Sequence, residues 1–193
     1  MSPDIGLYQT KYAVRRWLDH IPGVERLQPN HVSLASLVPS ALAAVALWYG
    51  WWPLVVVGIA GRMALTVMDG LLAEAYDKKT RIGPYLNRLP QEIGDIALFL
   101  ALIPWVDVRW VALLLAAAWL VNVLAVLPGI AGGSPQPAGP AGQPDRIAIV
   151  LVAAAVHIFM PFDWTWVCVL IVALSVPTVA LRITRTVREL GPA

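Results

Sequence analysis

Polar and charged side chains are concentrated in one stretch of an otherwise apolar chain, residues 66–95. Asp69 lies near the end of one apolar run. Asn87, Gln91 and Asp95 recur at every fourth residue at the start of the next run. Residues at this spacing share one face of a helix. If that face meets Asp69, two neighbouring helices form a polar pocket.

Such a pocket has some of the residue types of a site for divalent cations and phosphate. Mg²⁺ takes oxygen ligands, often a few carboxylates together with phosphate oxygens, and a pair of such ions can hold a diphosphate during displacement. Asp69 and Asp95 are anionic. The neutral members are Thr66, Asn87 and Gln91. The alternative is that these side chains satisfy one another between helices, as polar groups in membrane proteins do, and spacing alone leaves both interpretations open.

The composition indicates a membrane protein. Of the 193 residues, 59% are hydrophobic and only 13% are charged, compared with about 45–50% and about 25% in soluble domains. Hydrophobic runs separated by turn signals predict six transmembrane helices, and each is close in length to the roughly 20 residues that a bilayer requires. The fold class is therefore all-α and polytopic, and no nucleic-acid motif is present. The expected spans are 32–49, 52–75, 88–104, 108–128, 146–161 and 164–187.

The first 28 residues precede the spans and predict a separate amphipathic helix. Leu7, Val14 and Trp17 recur at helical spacing, with Lys11 and Arg15 between them. A basic polar face of this kind is typical of a helix lying on the inner leaflet of a membrane. Packing on a soluble partner is the alternative. We therefore divide the chain into this helix, residues 1–28, and a transmembrane domain, residues 29–193.

The basic residues predict that both termini are cytoplasmic. With six spans, the termini and the second-to-third and fourth-to-fifth loops lie on one side, and positive charge accumulates on the cytoplasmic side. The opposite side carries only Arg109, and Arg62 lies inside a span. The residues 66–95 then face the cytoplasm, in what we expect to be a bacterial inner membrane. The first side carries Lys11, Arg15, Arg16, Arg26, Lys78, Lys79, Arg81, Arg88, Arg146, Arg182, Arg185 and Arg188.

Tryptophans and a proline-rich connector complete this topology. Tryptophan is enriched where helices meet the membrane–water interface. The segment 129–144, GIAGGSPQPAGPAGQP, has no periodicity and predicts an irregular, mobile connector between the fourth and fifth spans. The tryptophans expected at the outer interface are Trp48, Trp51, Trp52, Trp105, Trp110, Trp164 and Trp166.

The polar stretch resembles the signature of the CDP-alcohol phosphotransferase family, also called CDP-alcohol phosphatidyltransferases. That signature reads D-x2-D-G-x2-A-R and, after a spacer, G-x3-D-x3-D. The segment 28–38, QPNHVSLASLV, resembles the family's opening of its first span, and 138–149, AGPAGQPDRIAI, resembles a G-P-x-G-K-S-D-R loop of one bacterial branch. In that branch an extra aspartate follows the signature, as Asp95 does. The fitted positions are Thr66, Asp69, Gly70, Ala73, Glu74, Gly83, Asn87 and Gln91, of which Asp69, Gly70, Ala73 and Gly83 match.

The resemblance implies a transferase of phospholipid biosynthesis. Family members bind a CDP-linked lipid or alcohol, most often CDP-diacylglycerol, with two Mg²⁺ or Mn²⁺ ions on the aspartates. The final aspartate takes the proton of an acceptor alcohol, and CMP leaves. Members commonly form homodimers. By resemblance, the metal positions are Asp69, Thr66 and Asn87, the base position is Gln91, and the substrate positions are Gly70, Ala73, Glu74, Gly83, Asp145 and Arg146.

The chain departs from the family at the positions that carry chemistry. Gln91 stands at the base position and cannot usefully accept a proton, and Glu74 stands where the family has arginine. Gln143 and Pro144 replace the loop lysine and serine. Asp95, one turn beyond Gln91, and Glu92, adjacent to it, are the alternative carboxylates after a small shift of the third span. One helical turn moves a side chain by about 5.4 Å, however, and a base must be within roughly 3 Å of its proton. Two functions follow: a phosphotransferase with an altered metal site, or a catalytically impaired protein of the same fold that binds lipid or scaffolds a partner.

Overall fold

The computed structural model describes residues 23–191 of the chain. Within these residues the fold is all-α, as predicted, with short 3₁₀ helices at Val24–Arg26 and Leu127–Ala131. The first helix contains a turn at Ser36, which separates Pro29–Ala35 from Leu37–Trp48. The six helices are α1 Pro29–Trp48, α2 Trp52–Ala75, α3 Gly83–Leu100, α4 Val108–Val126, α5 Gln143–Phe159 and α6 Thr165–Leu190.

Four of these helices are long and apolar enough to cross a membrane, by length and composition: α1, α2, α4 with the 3₁₀ turn that follows it, and α6. The chain is therefore a polytopic membrane protein. α3 has 18 residues but contains Arg88, Glu92 and Asp95, and α5 has only 17 residues. These two remain predicted spans. The amphipathic helix expected over residues 1–28 lies, through residue 22, outside the described residues.

The start of α3 differs from its prediction. The sequence places the third span at 88, whereas the helix begins at Gly83, with Pro84 in its first turn. A proline is favoured there because the first amide hydrogens of a helix have no intrahelical acceptor. Gly83 and Pro84 are thus part of the helix. Asn87 and Gln91 consequently lie inside it, with fixed directions.

The start of α1 also differs from its prediction: the sequence places the first span at 32, whereas the helix begins at Pro29. Asn30 and Ser33 are the residue types that cap helices, but the helix is preceded by Gln28 and has no side-chain cap. Ser33 lies one turn inside and is buried. Asn30 instead donates from its side-chain amide to Thr80 Oγ1 at 3.3 Å. The two side chains point towards α2 and the α2–α3 loop.

Glycines bring the helices that carry polar groups close together. α1 packs against α2 and α3, α2 against α5, and α4 against α6. A Cβ atom at Gly58 would lie 2.8 Å from Ala43 Cβ, and one at Gly94 would lie 2.8 Å from Ser40 Oγ and 3.2 Å from Arg62 Cζ. Small residues permit such close approaches between membrane helices. Gly94 therefore lets the Arg62 side chain pass beside α3.

Three of the tryptophans expected at the outer interface form one packed cluster. Trp52 stacks on Trp164 with ring centroids 5.2 Å apart and lies 4.9 Å from Trp105. Trp164 is 1% exposed, and its indole nitrogen donates to His157 Nδ1 at 3.2 Å. Aromatic rings pack favourably at these separations. The cluster closes the end of the helix bundle opposite to the polar stretch.

The connector between α4 and α5 is irregular but firmly held by α6. The guanidinium of Arg182 donates to the carbonyl oxygens of Ala138 at 3.0 Å and Pro137 at 2.8 Å, and also to that of Val121 on α4. Ala141 N donates to Thr178 Oγ1 at 2.9 Å. The sequence predicts a mobile connector because its composition is loop-like. The buried arginine on a distant helix supplies donors that no local pattern reveals.

We predict that Arg182→Met destabilises the protein by about 1–3 kcal/mol, because buried carbonyl oxygens lose their donor. The connector should also become more sensitive to proteolysis within residues 129–142. The free energy of unfolding is measured by SDS titration in mixed micelles. Proteolysis is measured by limited digestion with a protease that does not require lysine or arginine, since residues 129–142 contain neither. Arg185→Met, at an exposed position on the same helix, is the matched control. Equal stability of the two variants would contradict the role assigned to Arg182.

Candidate functional site

The carboxylate of Asp69 lies at the meeting point of three helices. It is 3% exposed. From α3, Asn87 Nδ2 donates to both of its oxygens, at 2.7 and 2.8 Å. From α1, the Ser33 hydroxyl donates to Asp69 Oδ2. The predicted meeting of Asp69 with the polar face of α3 is therefore confirmed.

The hydrogen bonds continue along α3 in one direction. Gln91 Nε2 donates to Asn87 Oδ1 at 2.7 Å, and Asn87 Nδ2 donates in turn to Asp69. The carboxylate fixes this orientation, because an ionised carboxylate only accepts hydrogen bonds and an amide oxygen turned towards it would be repelled. The side chains of Gln91, Asn87, Asp69 and Ser33 thus form a chain that ends on the carboxylate. We refer to these four residues as the Asp69 cluster.

Asp95 has a different environment on the same helix. It is 3% exposed and forms ion pairs with two arginines, Arg62 on α2 and Arg146 on α5, the latter at 3.2 Å. Arg62 also donates to the backbone oxygen of Gln91 at 2.8 Å. Arg146 is fully buried and also donates to Ala141 O at 2.9 Å. Both oxygens of Asp95 are therefore held by guanidinium groups.

A second carboxylate on α3 is paired in a similar way. Glu92 accepts from Arg88 Nε at 2.5 Å and from Asn122 Nδ2 on α4 at 2.5 Å. Asn122 Oδ1 in turn accepts from Arg146 Nη2 at 3.1 Å. Ionisable groups within membrane helices are costly unless they are paired. Glu92 and Asp95 thus belong to one polar network that joins α2, α3, α4 and α5.

The Asp69 cluster borders two separate cavities. The larger has a volume of about 480 Å³ and lies between the start of α1, the end of α2 and the start of α3. The smaller, about 80 Å³, lies between α2, α3 and the start of α5. Residues lining the larger cavity include Pro29, Asn30, Ser33, Asp69, Gly70, Ala73, Lys78, Lys79, Thr80, Gly83, Pro84 and Asn87.

The residues fitted to the family signature divide between these cavities. Asp69, Gly70, Ala73, Gly83 and Asn87 line the larger one. Two further fitted positions, Thr66 and Gln91, line the smaller cavity. The other residues that line it are Arg62, Met63, Val67, Gln143, Pro144 and Ile147.

Four other site residues that the resemblance implies, Glu74, Asp95, Asp145 and Arg146, are absent from the lining of both cavities. Glu74 and Asp145 are exposed. Asp95 and Arg146 pair with each other inside the helix bundle. Asp95 is connected to the Asp69 cluster through Arg62, which donates both to Asp95 and to the backbone oxygen of Gln91.

The donor set does not fit a pair of divalent cations. Among residues 23–191, no group of three or more His, Cys, Asp and Glu side chains is placed to hold a metal ion. Asp69 is the one carboxylate of the fitted signature positions apart from the exposed Glu74, and it already accepts three hydrogen bonds. Hard cations require oxygen ligands, usually several of them anionic. The amide groups present nitrogen donors to the carboxylate instead.

The polar atoms left without a partner point to the same conclusion. In the described part of the chain, the buried side-chain atoms that lack a hydrogen-bond partner are Arg62 Nη1, Arg146 Nε and Gln143 Nε2. All three are donors. Two belong to guanidinium groups, whose positive charge repels a cation in a medium of low dielectric constant. These unpaired donors favour hydrogen-bond acceptors as neighbours, and the guanidinium charge disfavours binding of Mg²⁺ or Mn²⁺.

The sequence favours other roles for two contributors to the site: Ser33 is a residue type that caps helices, and Arg62 is a basic residue inside a span. Glu92 is an alternative carboxylate by sequence, whereas the structure pairs it with Arg88 and Asn122. A signal exists for Arg62, since a charged residue in a span requires a partner. Nothing in the local sequence identifies that partner as Asp95, 33 positions along the chain.

We predict that Asp95→Asn destabilises the protein by about 3–5 kcal/mol, because two buried arginines lose their counter-charge. The free energy of unfolding is measured by SDS titration in mixed micelles. Asp145→Asn removes the same charge from an exposed position next to Arg146 and should change stability by no more than about 0.5 kcal/mol. An Asp95→Asn variant as stable as this control would refute the double ion pair.

Two sequence relatives indicate what the chain is similar to. It is 34% identical over 126 residues to the inner membrane protein YnbA of Escherichia coli, covering 62% of this chain and 63% of that protein. It is 29% identical over 170 residues to phosphatidylinositol phosphate synthase of Mycolicibacterium smegmatis, covering 82% of this chain and 74% of that enzyme. The match thus spans less than two thirds of YnbA. No model of a protein family matches the sequence.

Solved structures share the fold. Phosphatidylinositol phosphate synthase of Mycobacterium tuberculosis with CDP-DAG bound superposes with a TM-score of 0.75 at 21% identity, over 95% of this chain and 96% of that one. The same enzyme in complex with manganese and citrate gives a TM-score of 0.76 at 21% identity, over 94% and 90% of the two chains. Likeness at this identity establishes the fold and leaves the reaction open. Together with the sequence similarity to the M. smegmatis enzyme, it confirms that this chain resembles phosphatidylinositol phosphate synthase, a CDP-alcohol phosphatidyltransferase, in fold and sequence.

Proposed function

We propose that this chain is a multi-pass protein of phospholipid metabolism that binds the headgroup of a CDP-linked lipid in the larger cavity. The observation that carries the proposal is the composition of the cavity wall, in which one buried carboxylate is covered by donors and the remaining polar groups are lysines, amides and hydroxyls. Such a wall suits an anionic phosphate group. The M. tuberculosis relative binds CDP-DAG, which supports this choice of ligand.

The cavity has the size and access that a headgroup requires. Its volume of about 480 Å³ lies within the roughly 300–1,000 Å³ of typical small-molecule sites. Lys78 Nζ donates to the backbone oxygens of Glu25 and Leu27, the latter at 2.9 Å, and so holds the segment before α1 against the α2–α3 loop. Lys79 lies exposed at the rim. A lipid phosphate entering from the membrane surface would meet this positive charge first.

The same proposal includes the location. The basic residues of the α2–α3 loop, of α5 and of the end of α6 support a cytoplasmic position for the cavity and for both termini, by the positive-inside rule. One relative is an inner membrane protein, which supports the bacterial inner membrane. Association into homodimers stays a prediction from the family resemblance.

Phosphatidyl transfer to an alcohol is the second candidate function, and the shared fold favours it. A transferase of this family needs a base near the acceptor hydroxyl. Gln91 cannot serve, and Asp95 would have to give up its ion pairs with Arg62 and Arg146. The geometry therefore supports binding better than transfer, and it is compatible with a role in which the bound lipid or a partner protein is held for another enzyme.

We predict that Gly70→Leu abolishes binding of CDP-diacylglycerol, because the new side chain would occupy the cavity. A Cβ atom at Gly70 meets no atom within 4 Å, so the helix can accept the change and folding should persist. The measurement is retention of radiolabelled short-chain CDP-diacylglycerol by the full chain in nanodiscs. Gly129→Leu is the matched control, because a Cβ atom there also meets nothing within 4 Å and Gly129 lies outside the cavity. Equal retention by both variants would contradict the assigned binding site.

We predict that the protein releases no CMP from CDP-diacylglycerol with any of a panel of alcohols, including inositol phosphate and glycerol phosphate, with Mg²⁺ or Mn²⁺ present. The reason is that, within residues 23–191, Gln91 stands at the base position, Asp95 is held by two arginines, and no carboxylate cluster is placed to hold a metal ion. CMP is measured by chromatography, with phosphatidylinositol phosphate synthase of M. tuberculosis as the active control. Release of CMP that disappears in Asp69→Asn would establish the transferase function in place of the binding function.

A further inference from the structure

We infer that the Asp69 cluster replaces divalent cations with side-chain hydrogen bonds, so that this chain joins its helices and takes up its ligand without metal. The inference about the ligand rests on the proposed function; the inference about the helices does not. It is drawn from the mismatch between the donor set and the cations that the shared fold implies.

The first support is the number of donors on Asp69. A carboxylate offers about four acceptor positions, and three hydrogen bonds from Ser33 and Asn87 already reach it. A cation bound through both oxygens needs more than the one position that remains, so at least one of these donors would have to leave. Ser33 and Asn87 lie on α1 and α3, so their bonds also connect both helices to α2. A metal ion between carboxylates would provide the same connection.

The second support is the charge around Gln91. The Arg62 guanidinium lies 2.8 Å from the backbone oxygen of Gln91. It therefore places a positive charge beside position 91, where the resemblance puts the base aspartate, one helical turn from the metal position Asn87. Two positive charges at close range in a low-dielectric surrounding repel strongly. Because Gln91 is neutral, no carboxylate at this position offsets the charge of Arg62, and a cation placed there would be repelled.

The third support is that no other carboxylate in the described α3 is free to move in. Asp95 is held by Arg62 and Arg146, and Glu92 by Arg88 and Asn122. Recruiting Asp95 would leave two buried arginines without their counter-charge, which is strongly unfavourable, and recruiting Glu92 would break its bonds to Arg88 and Asn122. The site consequently lacks the ligands from which a cation site could be assembled by small side-chain rotations.

The experiment titrates Mn²⁺ alone into the full chain in nanodiscs and follows free Mn²⁺ by electron paramagnetic resonance. Wild-type protein should leave the signal at the level of empty nanodiscs. Asn87→Asp with Gln91→Asp should deplete it at stoichiometric protein. The same variant should be less stable than wild type in EDTA and be restored by Mn²⁺, because clustered carboxylates repel one another until a cation neutralises them.

The matched control adds two acids elsewhere. Gln28→Asp with Thr184→Asp changes net charge equally at exposed positions and should show no Mn²⁺ depletion. If the double variant of the cluster does not fold, the wild-type titration decides the question by itself. Depletion of Mn²⁺ by wild-type protein that disappears in Asp69→Asn would overturn the inference.

A second measurement separates this inference from the proposed function. Retention of short-chain CDP-diacylglycerol by wild-type protein is compared in EDTA and in Mn²⁺. Affinities within about twofold support a metal-independent site, and a gain of tenfold or more in Mn²⁺, about 1.4 kcal/mol, overturns it while leaving the binding function intact. No retention in either buffer, together with no Mn²⁺ depletion, would reject the binding function and retain the metal-free cluster.

Discussion

The carboxylate of Asp69 is the constraint around which three helix ends are arranged: the start of α1, the end of α2 and the start of α3. A buried anion in a membrane protein must be neutralised or supplied with donors, because no water is present to solvate it. Ser33 and Asn87 supply those donors from α1 and α3. Their positions require α1 to continue inward past Ser33 and α3 to begin as early as Gly83. The boundaries at which the sequence-based prediction is inaccurate are therefore the ones that this carboxylate determines.

Asp69 and Asp95 lie in the same region but have different partners. This difference distinguishes an aspartate that connects helices inside the bundle from one that borders a cavity. Asp95 pairs with two arginines and faces the interior of the bundle. Asp69 accepts only from neutral groups and faces a cavity. An ion pair with an arginine would have filled that cavity with a long side chain. Hydroxyl and amide donors hold the carboxylate while leaving about 480 Å³ open beside it. The helix bundle can thus be rigid without losing a place for a ligand.

Periodicity and composition predict much of this arrangement, and long-range pairing accounts for what they miss. The apolar runs predict the helices to within a few residues, and the interval of four residues places Asn87 and Gln91 on one face. The partners Ser33, Arg62 and Arg182 act on groups in other helices or in the connector. Their roles depend on which helices are neighbours and on the close approach at Gly94, where an added Cβ would lie 3.2 Å from Arg62 Cζ. Such neighbour relations are absent from any local pattern.

A fold can be retained while its chemistry changes. Where the groups that are lost also held the structure together, other groups must take over that structural role. Metal ions between helices both activate a substrate and connect the protein. Under the inference drawn above, amides in place of aspartates lack the first role, and the helices would also lose the second unless the amide side chains bonded to one another. Here Gln91 donates to Asn87 and Asn87 to Asp69, at 2.7–2.8 Å, which preserves the connection. Because Gln91 bonds to Asn87 and Asn87 to Asp69, we expect the residues at 87 and 91 to be energetically coupled. The shared fold with phosphatidylinositol phosphate synthase is compatible with a different use of the cavity.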